Sequence, residues 1–268
     1  MQPLKTIPYT NVVQLTDSHL FAELDGRLLG MDTHDSLQQV ITLVQAEQAQ
    51  IDLLLCTGDI SQDGSSDSYQ RFAKEVGALG VPMRWFAGNH DERLALQQVS
   101  AQTDWLESVY DVAAWRIILL DSSVINKVHG ELGQDQLNIL EHALRSAGER
   151  HVLIGLHHHP VPINSAWMDK IGLHNAADLL SIINQYKNVK AVLWGHVHQE
   201  VDQYLHGVRW LASPSTCVQF TPQSEDFSVD TKAPGYRWLR LYDDGQIQTA
   251  VSRVENIDFE IDYSIKGY

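Results

Sequence analysis

Five short apolar runs in this chain each end in Asp, Asn or His. Val12-Val13-Gln14-Leu15-Thr16 leads into Asp17-Ser18-His19, and Leu53-Leu54-Leu55-Cys56-Thr57 into Gly58-Asp59. Met83-Arg84-Trp85-Phe86 precedes Gly88-Asn89-His90-Asp91. Val152-Leu153-Ile154-Gly155-Leu156 precedes His157-His158-His159-Pro160, and Ala191-Val192-Leu193-Trp194 precedes Gly195-His196-Val197-His198. Runs of this length rich in Val, Leu and Ile read as strands, and most are followed by a helical pattern. That alternation predicts an α/β layered protein whose ligands gather at the carboxyl ends of its strands.

The helices are expected from Asp32 or Thr33 to about Ala49, with Leu37, Val40, Ile41 and Val44 on one face, and from Ser65 to Leu79. Further helices are expected at about 91–101, 134–147 and 176–185. Strands are expected around Val109-Tyr110 and from Trp115 to Leu120. From Glu200 onward the pattern changes to short β-like pieces joined by Gly and Pro turns, with Asp243-Asp244-Gly245 as a hairpin signal. The chain is read as one domain over residues 1–268, with the residues from about 200 completing a second sheet.

Composition narrows the partners. The net charge of −15 over 268 residues repels a nucleic-acid backbone, so nucleic acid is not expected as a partner. No apolar run approaches membrane-spanning length, and Met1 to Thr10 holds no stretch of signal-peptide length. Two cysteines, Cys56 and Cys217, do not make a disulfide framework. The expected location is the cytoplasm, with no membrane partner.

The strand ends collect seven donors: Asp17, His19, Asp59, Asn89, His157, His196 and His198. Residues at i and i+2 of extended chain point the same way, so Asp17 and His19 can converge. Carboxylate, amide and imidazole without thiolate suit Mn, Fe, Zn or similar ions. A closed zinc site takes about four ligands, so seven suit two ions sharing a bridge, and Asp59 is the natural bridge. Two ions roughly 3.5–4 Å apart can clamp both oxygens of an in-line displacement at phosphorus. His34, His142, His151 and His206 are read as solvated or locally bonded.

In kind and order these motifs resemble the calcineurin-like metallophosphoesterases over residues 12–198. Gln14 to Phe21, Thr57 to Tyr69, His157 to Pro162 and Ser213 to Phe220 further look like the bacterial class III 3′,5′-cyclic AMP phosphodiesterases. The resemblance implies a two-sheet β-sandwich flanked by helices. It implies one metal, usually iron, on Asp17, His19, Asp59 and His198, and a second, iron or manganese, on Asp59, Asn89, His157 and His196. Zinc and cobalt also suit the donors.

His90 would face the phosphate and serve as general acid toward the 3′ oxygen, with His19, Asn89 and His198 also in reach of substrate. Relatives carry a carboxylate three residues after the bridging Asp to orient the catalytic His. Here that position is Gln62, and Asp63 is expected to take the role. The triple histidine leaves His157, the first choice, and His158 open as ligands. The implied reaction opens 3′,5′-cyclic AMP to 5′-AMP by metal-hydroxide attack on phosphorus. Loops at 20–31, 161–175 and 213–220 are expected to shape the nucleoside pocket. Fold analogy allows a homodimer. A broad phosphodiesterase or phosphatase, and a non-catalytic scaffold, are the rival readings.

Overall fold

The computed structural model describes residues 7–255, 259–265 and 267. The first six residues, part of the Met1–Thr10 start read above, lie outside the described residues.

Strands β1 (Tyr9–Leu15), β4 (Leu53–Thr57) and β5 (Met83–Phe86) are parallel neighbours in one five-stranded sheet of order β13-β12-β1-β4-β5. A six-stranded sheet has the order β10-β11-β9-β8-β7-β6. Its β7 (Trp115–Leu120), β8 (His151–Leu156), β9 (Val189–Trp194) and β11 (Val208–Ala212) run parallel. Antiparallel β6 (Val109–Val112) and β10 (Val201–Leu205) form its edges. A small hairpin joins β2 (Arg27–Leu28) to β3 (Met31–Asp32).

Strand alternation sorts the apolar side chains into three layers. Leu53 and Leu55 point inward and pack with Val12, Phe86, Trp115, Ile117, Leu153 and Leu193 between the two sheets. Leu54 and Cys56 point the other way, beneath α1 (Thr33–Glu47), α2 (Ser66–Gly77) and α3 (Arg93–Ser100). Ile118, Ile154 and Val192 pack beneath α4 (Gln134–Arg145) and α5 (Ala176–Ile183) on the far face. The protein is thus a two-sheet sandwich flanked by helices. Its central strands read as unbroken apolar runs because both their faces are covered.

The helices begin where the capping residues dictate. Asp32 accepts the Asp35 amide at 2.9 Å, and Ser65 accepts that of Ser68 at 3.2 Å.

The residues after 200 divide between both sheets. β10 and β11 extend the six-stranded sheet. β12 (Gly235–Tyr242) instead pairs with β1, and β13 (Ile247–Arg253) follows it, so this half completes the first sheet. No helix among the described residues is long and apolar enough to cross a membrane.

Candidate metal centre

The parallel strands of both sheets end at one edge of the sandwich, and the five motifs meet there. The ends of β1 and β4 are laced together: the Asp17 amide donates to Gly58 O at 3.0 Å and the His19 amide to Asp59 O at 2.9 Å. Asp17, His19, Asp59, His196 and His198 all have φ between 48° and 64°. Non-glycine residues seldom adopt this left-handed region, which costs of order 1–3 kcal/mol each and persists where the surroundings enforce it. The five turn sharply off their strands and carry their side chains into one cluster of overlapping donor groups.

Two glycines allow the loops to touch. Gly58 sits at φ +92°, and a Cβ there would lie 2.5 Å from His157 Nδ1. A Cβ on Gly88 would collide with the Asp59 carboxylate.

Asp17 and Asp59 lie at the centre, buried with His19, His157, His158 and His198. His157 Nε2 is 3.1 Å from Asp59 Oδ2 and 3.9 Å from Asp17 Oδ1. His198 Nε2 is 3.3 Å from Asp17 Oδ1. The His196 amide donates to both Asp17 oxygens at 2.9 and 3.1 Å. Asp17, His19 and His198 bring one donor atom each within ligating reach of one another, and so do Asp17, Asp59 and His157. A third such trio is His157, His158 and His196, and His90 joins His19 and Asp59 in a fourth. Asn89 is half-buried beside them, and its Oδ1 has no hydrogen-bond partner.

The outer nitrogens of His19, His157, His196 and His198 are engaged. His157 Nδ1 donates to Thr57 O at 2.8 Å, His198 Nδ1 to Val218 O at 2.8 Å, and His196 Nε2 to Ile171 O at 3.1 Å. His19 Nδ1 donates to Gln62 Oε1 at 2.6 Å. This fixes each tautomer and turns the other nitrogen's lone pair inward, the arrangement of metal-ligating imidazoles. The inner nitrogens of His19 and His198 approach to 3.2 Å. Two lone pairs that close suit a cation between them.

Protonation points the same way. Burial drives His19 down to about 3, and burial with neighbouring imidazoles pushes His158 and His196 well below the usual histidine range. Burial opposes charge on His157 too, but the Asp59 and Asp17 carboxylates outweigh it and raise the group to about 9. Burial raises Asp17 and Asp59, yet the facing histidines hold both below their ordinary value. The cluster therefore offers two carboxylates and mostly neutral imidazoles. The donor set and the unpartnered Asn89 Oδ1 fit metal ions.

His157 and His158 are both at hand, but only His157 reaches the two carboxylates. His158 Nδ1 hydrogen-bonds Ser122 Oγ at 2.8 Å, and its Nε2 is buried without a hydrogen-bond partner.

Two expectations change. Asp63 spends its carboxylate on the Ala22 amide (2.8 Å), the Ser65 amide (3.0 Å) and the Ser61 hydroxyl (3.1 Å). It staples the 61–65 turn, a different task from orienting the His90 ring. His90 is positioned through its backbone, whose amide donates to Asp59 Oδ1 at 2.9 Å, and its ring meets His19 edge-on at 5.0 Å.

Residues 213–220 are a buried buttress, whereas a pocket loop was expected. Ser215 Oγ donates to Asp17 O at 2.6 Å, and the Phe220 ring stacks on His198 at 4.3 Å. Trp167 packs edge-on against Phe220 and Phe227.

Asp91 and Tyr69 have a bracing role that the sequence did not disclose. The Asp91 carboxylate accepts amides from Gly88 (2.8 Å), Ser61 (3.0 Å) and Ile60 (3.3 Å), and the Tyr69 hydroxyl at 3.0 Å. It clamps the loop after β4 to the loop after β5. Burial and the charge of Asp59 push it up to about 6. The acidic end of Gly88-Asn89-His90-Asp91 was the one available signal.

The fold and this donor cluster define a metallophosphoesterase, and the calcineurin-like phosphoesterase family matches residues 10–200. The chain belongs to that family. It is 55% identical to 3′,5′-cyclic adenosine monophosphate phosphodiesterase CpdA of Pseudomonas aeruginosa, over 96% of this chain and 94% of the relative. It is 41% identical to the Escherichia coli K12 protein of the same name, over the full length of both. Among solved structures, a dimetal phosphatase from Danio rerio superposes with a TM-score of 0.64 at 17% identity, covering 92% of this chain and all of that one. The chain is a metal-dependent phosphoesterase.

Proposed function

We propose that this enzyme hydrolyses 3′,5′-cyclic AMP to 5′-AMP at a two-metal centre. The observation that carries the reading is the set of four imidazoles, each donating its outer N–H, with the inner nitrogens of His19, His157 and His198 close to the Asp17–Asp59 pair and His196 within ligating reach of His157. The names of the full-length relatives supply the substrate class.

Asp17, His19, Asp59 and His198 would hold one ion, and Asp59, Asn89, His157 and His196 the other, with Asp59 shared. Iron paired with iron or manganese is the assigned content. Cys217 is no competing thiolate, since burial pushes its thiol up to about 12. When bound, the ions would supply Lewis acidity and the nucleophile for attack on phosphorus.

The chain's own residues do the rest. Asp17 and Asp59 balance the ions' charge. His90, half-buried and held by its amide on Asp59 Oδ1, faces the reacting phosphate and gives a proton to the departing 3′ oxygen. His19, Asn89 and His198 border the same space as further phosphate contacts. A cytoplasmic location accords with two buried cysteines that form no disulfide. By fold analogy the proposal includes a homodimer.

The test compares kcat/KM on 3′,5′-cyclic AMP, 2′,3′-cyclic AMP and an aryl phosphodiester. A clear preference for the 3′,5′ compound is expected. A flat or reversed preference would overturn the substrate while leaving the metal chemistry intact.

A further inference from the structure

A cleft of about 600 Å³ opens beside His90, and neither Asp17 nor Asp59 lines it. None of the loops expected to form a nucleoside pocket lines it. Its walls are the turn at 62–64, the start of α3 and the loop at 123–126, and its floor is Asn89 and His90. Volumes of roughly 300–1,000 Å³ are typical of small-molecule sites.

The wall is pre-formed. Arg93 Nε donates to Ser123 Oγ at 3.0 Å, its Nη2 to Ser123 O at 2.6 Å, and the same Nη2 pairs with Asp121 Oδ2 at 3.0 Å. This ties the loop to α3. It also occupies the one guanidinium that lines the cleft among the described residues, so a second phosphate on the ligand meets no unpaired arginine among them. Glu92 is likewise engaged, capping α3 through the Ala95 amide at 2.8 Å.

What the cleft offers is apolar surface and an amide. Leu94 and Ile125 line it while 66% and 75% exposed. A lone exposed Leu or Ile is ordinary. Two lining a single cleft over a candidate phosphate-facing floor are a binding surface. The side chain of Asn126, at the same cleft, has no hydrogen-bond partner among the described residues.

We propose that this cleft is the nucleoside subsite and that Leu94, Ile125 and Asn126 select the base. The inference rests on the cyclic-nucleotide reading above. With the cyclic phosphate at His90, the base leaves the metal edge along this cleft. Leu94 and Ile125 contact the flat faces of the ring. The Asn126 amide, donor and acceptor side by side, matches the N6 amine and ring nitrogen of adenine, the pairing by which Asn reads adenine elsewhere.

The experiment uses metal-loaded full-length protein and the ratio of kcat/KM for 3′,5′-cyclic AMP to that for methyl 4-nitrophenyl phosphate, which carries no nucleoside. The substituted side chains are exposed, and circular dichroism checks that each variant is folded. Leu94→Ala/Ile125→Ala is expected to lower the ratio about tenfold, the scale of lost apolar contacts in a pocket. Asn126→Ala is expected to erode the preference for cyclic AMP over 3′,5′-cyclic UMP by a similar factor. Ratios within twofold of wild type, in an enzyme that does hydrolyse cyclic AMP, would overturn the subsite alone. A wild-type enzyme active on the aryl ester and inert toward cyclic AMP would overturn the substrate reading on which the subsite depends.

Discussion

The Tyr69 hydroxyl donates to Asp91 Oδ1 at 3.0 Å and accepts the Glu92 amide at 2.8 Å. One phenol on α2 thus anchors the loop that carries Asn89 and His90. Tyr69→Phe strips a donor from a buried carboxylate and leaves an amide unmatched. Chemical denaturation should show a loss of about 1–3 kcal/mol, the usual cost of unsatisfied buried groups. A variant as stable as wild type would mean that water or a shifted loop replaces the phenol.

His90 and the donors should separate cleanly. His90→Ala should lower turnover by roughly 10²–10⁴-fold, the range for a lost general acid, with metal content unchanged. Asp59→Asn and Asn89→Ala should lose metal as well as activity. Loss of metal in His90→Ala, measured by elemental analysis, would contradict its assignment outside the ligand set.

Gly88→Ala probes the close approach of two loops. The added methyl meets the Asp59 carboxylate, so Asp59 or the 88–91 loop must move. Weaker metal binding and lower kcat are expected. An unaltered enzyme would show that the loops have slack.

Metal uptake should depend on pH through His157. Without metal this histidine, raised to about 9 by Asp59 and Asp17 against burial, carries a proton at neutral pH. A metal must displace it, so affinity should fall by up to tenfold per unit as pH drops below about 9. Titrations of chelated-ion competition at several pH values would measure this, and a flat profile would exclude a proton on His157.

The same shift has a stability consequence for metal-free protein. The folded value lies above that of an unfolded histidine, near 6.5, so the contribution of His157 is fully present below that pH. It is lost as pH rises through about 9. Urea midpoints of metal-free wild type should fall across this window more than those of His157→Gln, and equal slopes would remove His157 from the account.

How much could be read in advance follows from chain geometry. The central strands were legible because strands covered on both faces are uniformly apolar, and the donors because each stands at a strand end. β10 escaped notice because it is an edge strand in which no residue is fully buried and polar Asp202 and Gln203 interrupt the apolar run. The division of β12 and β13 from β10 and β11 was hidden, since strand pairing over more than 200 residues leaves no local mark.

At the site, the candidate donors were visible but their support was not. That Gln62 holds His19, that Asp63 serves a turn and that Asp91 clamps two loops depend on backbone amides brought together by the fold. The cleft was invisible for the same reason. Leu94 and Ile125 are far apart in sequence and line one cleft, where Arg93 ties Ser123 to α3.

The most direct test of the two-metal account is to titrate metal-free protein with iron or manganese while following hydrolysis of 3′,5′-cyclic AMP. Activity should stay low through the first equivalent, reach its plateau with the second, and yield 5′-AMP, and Asp59→Asn should reach neither the second equivalent nor the plateau. Full turnover by metal-free protein, or a plateau at one ion per chain, would contradict it.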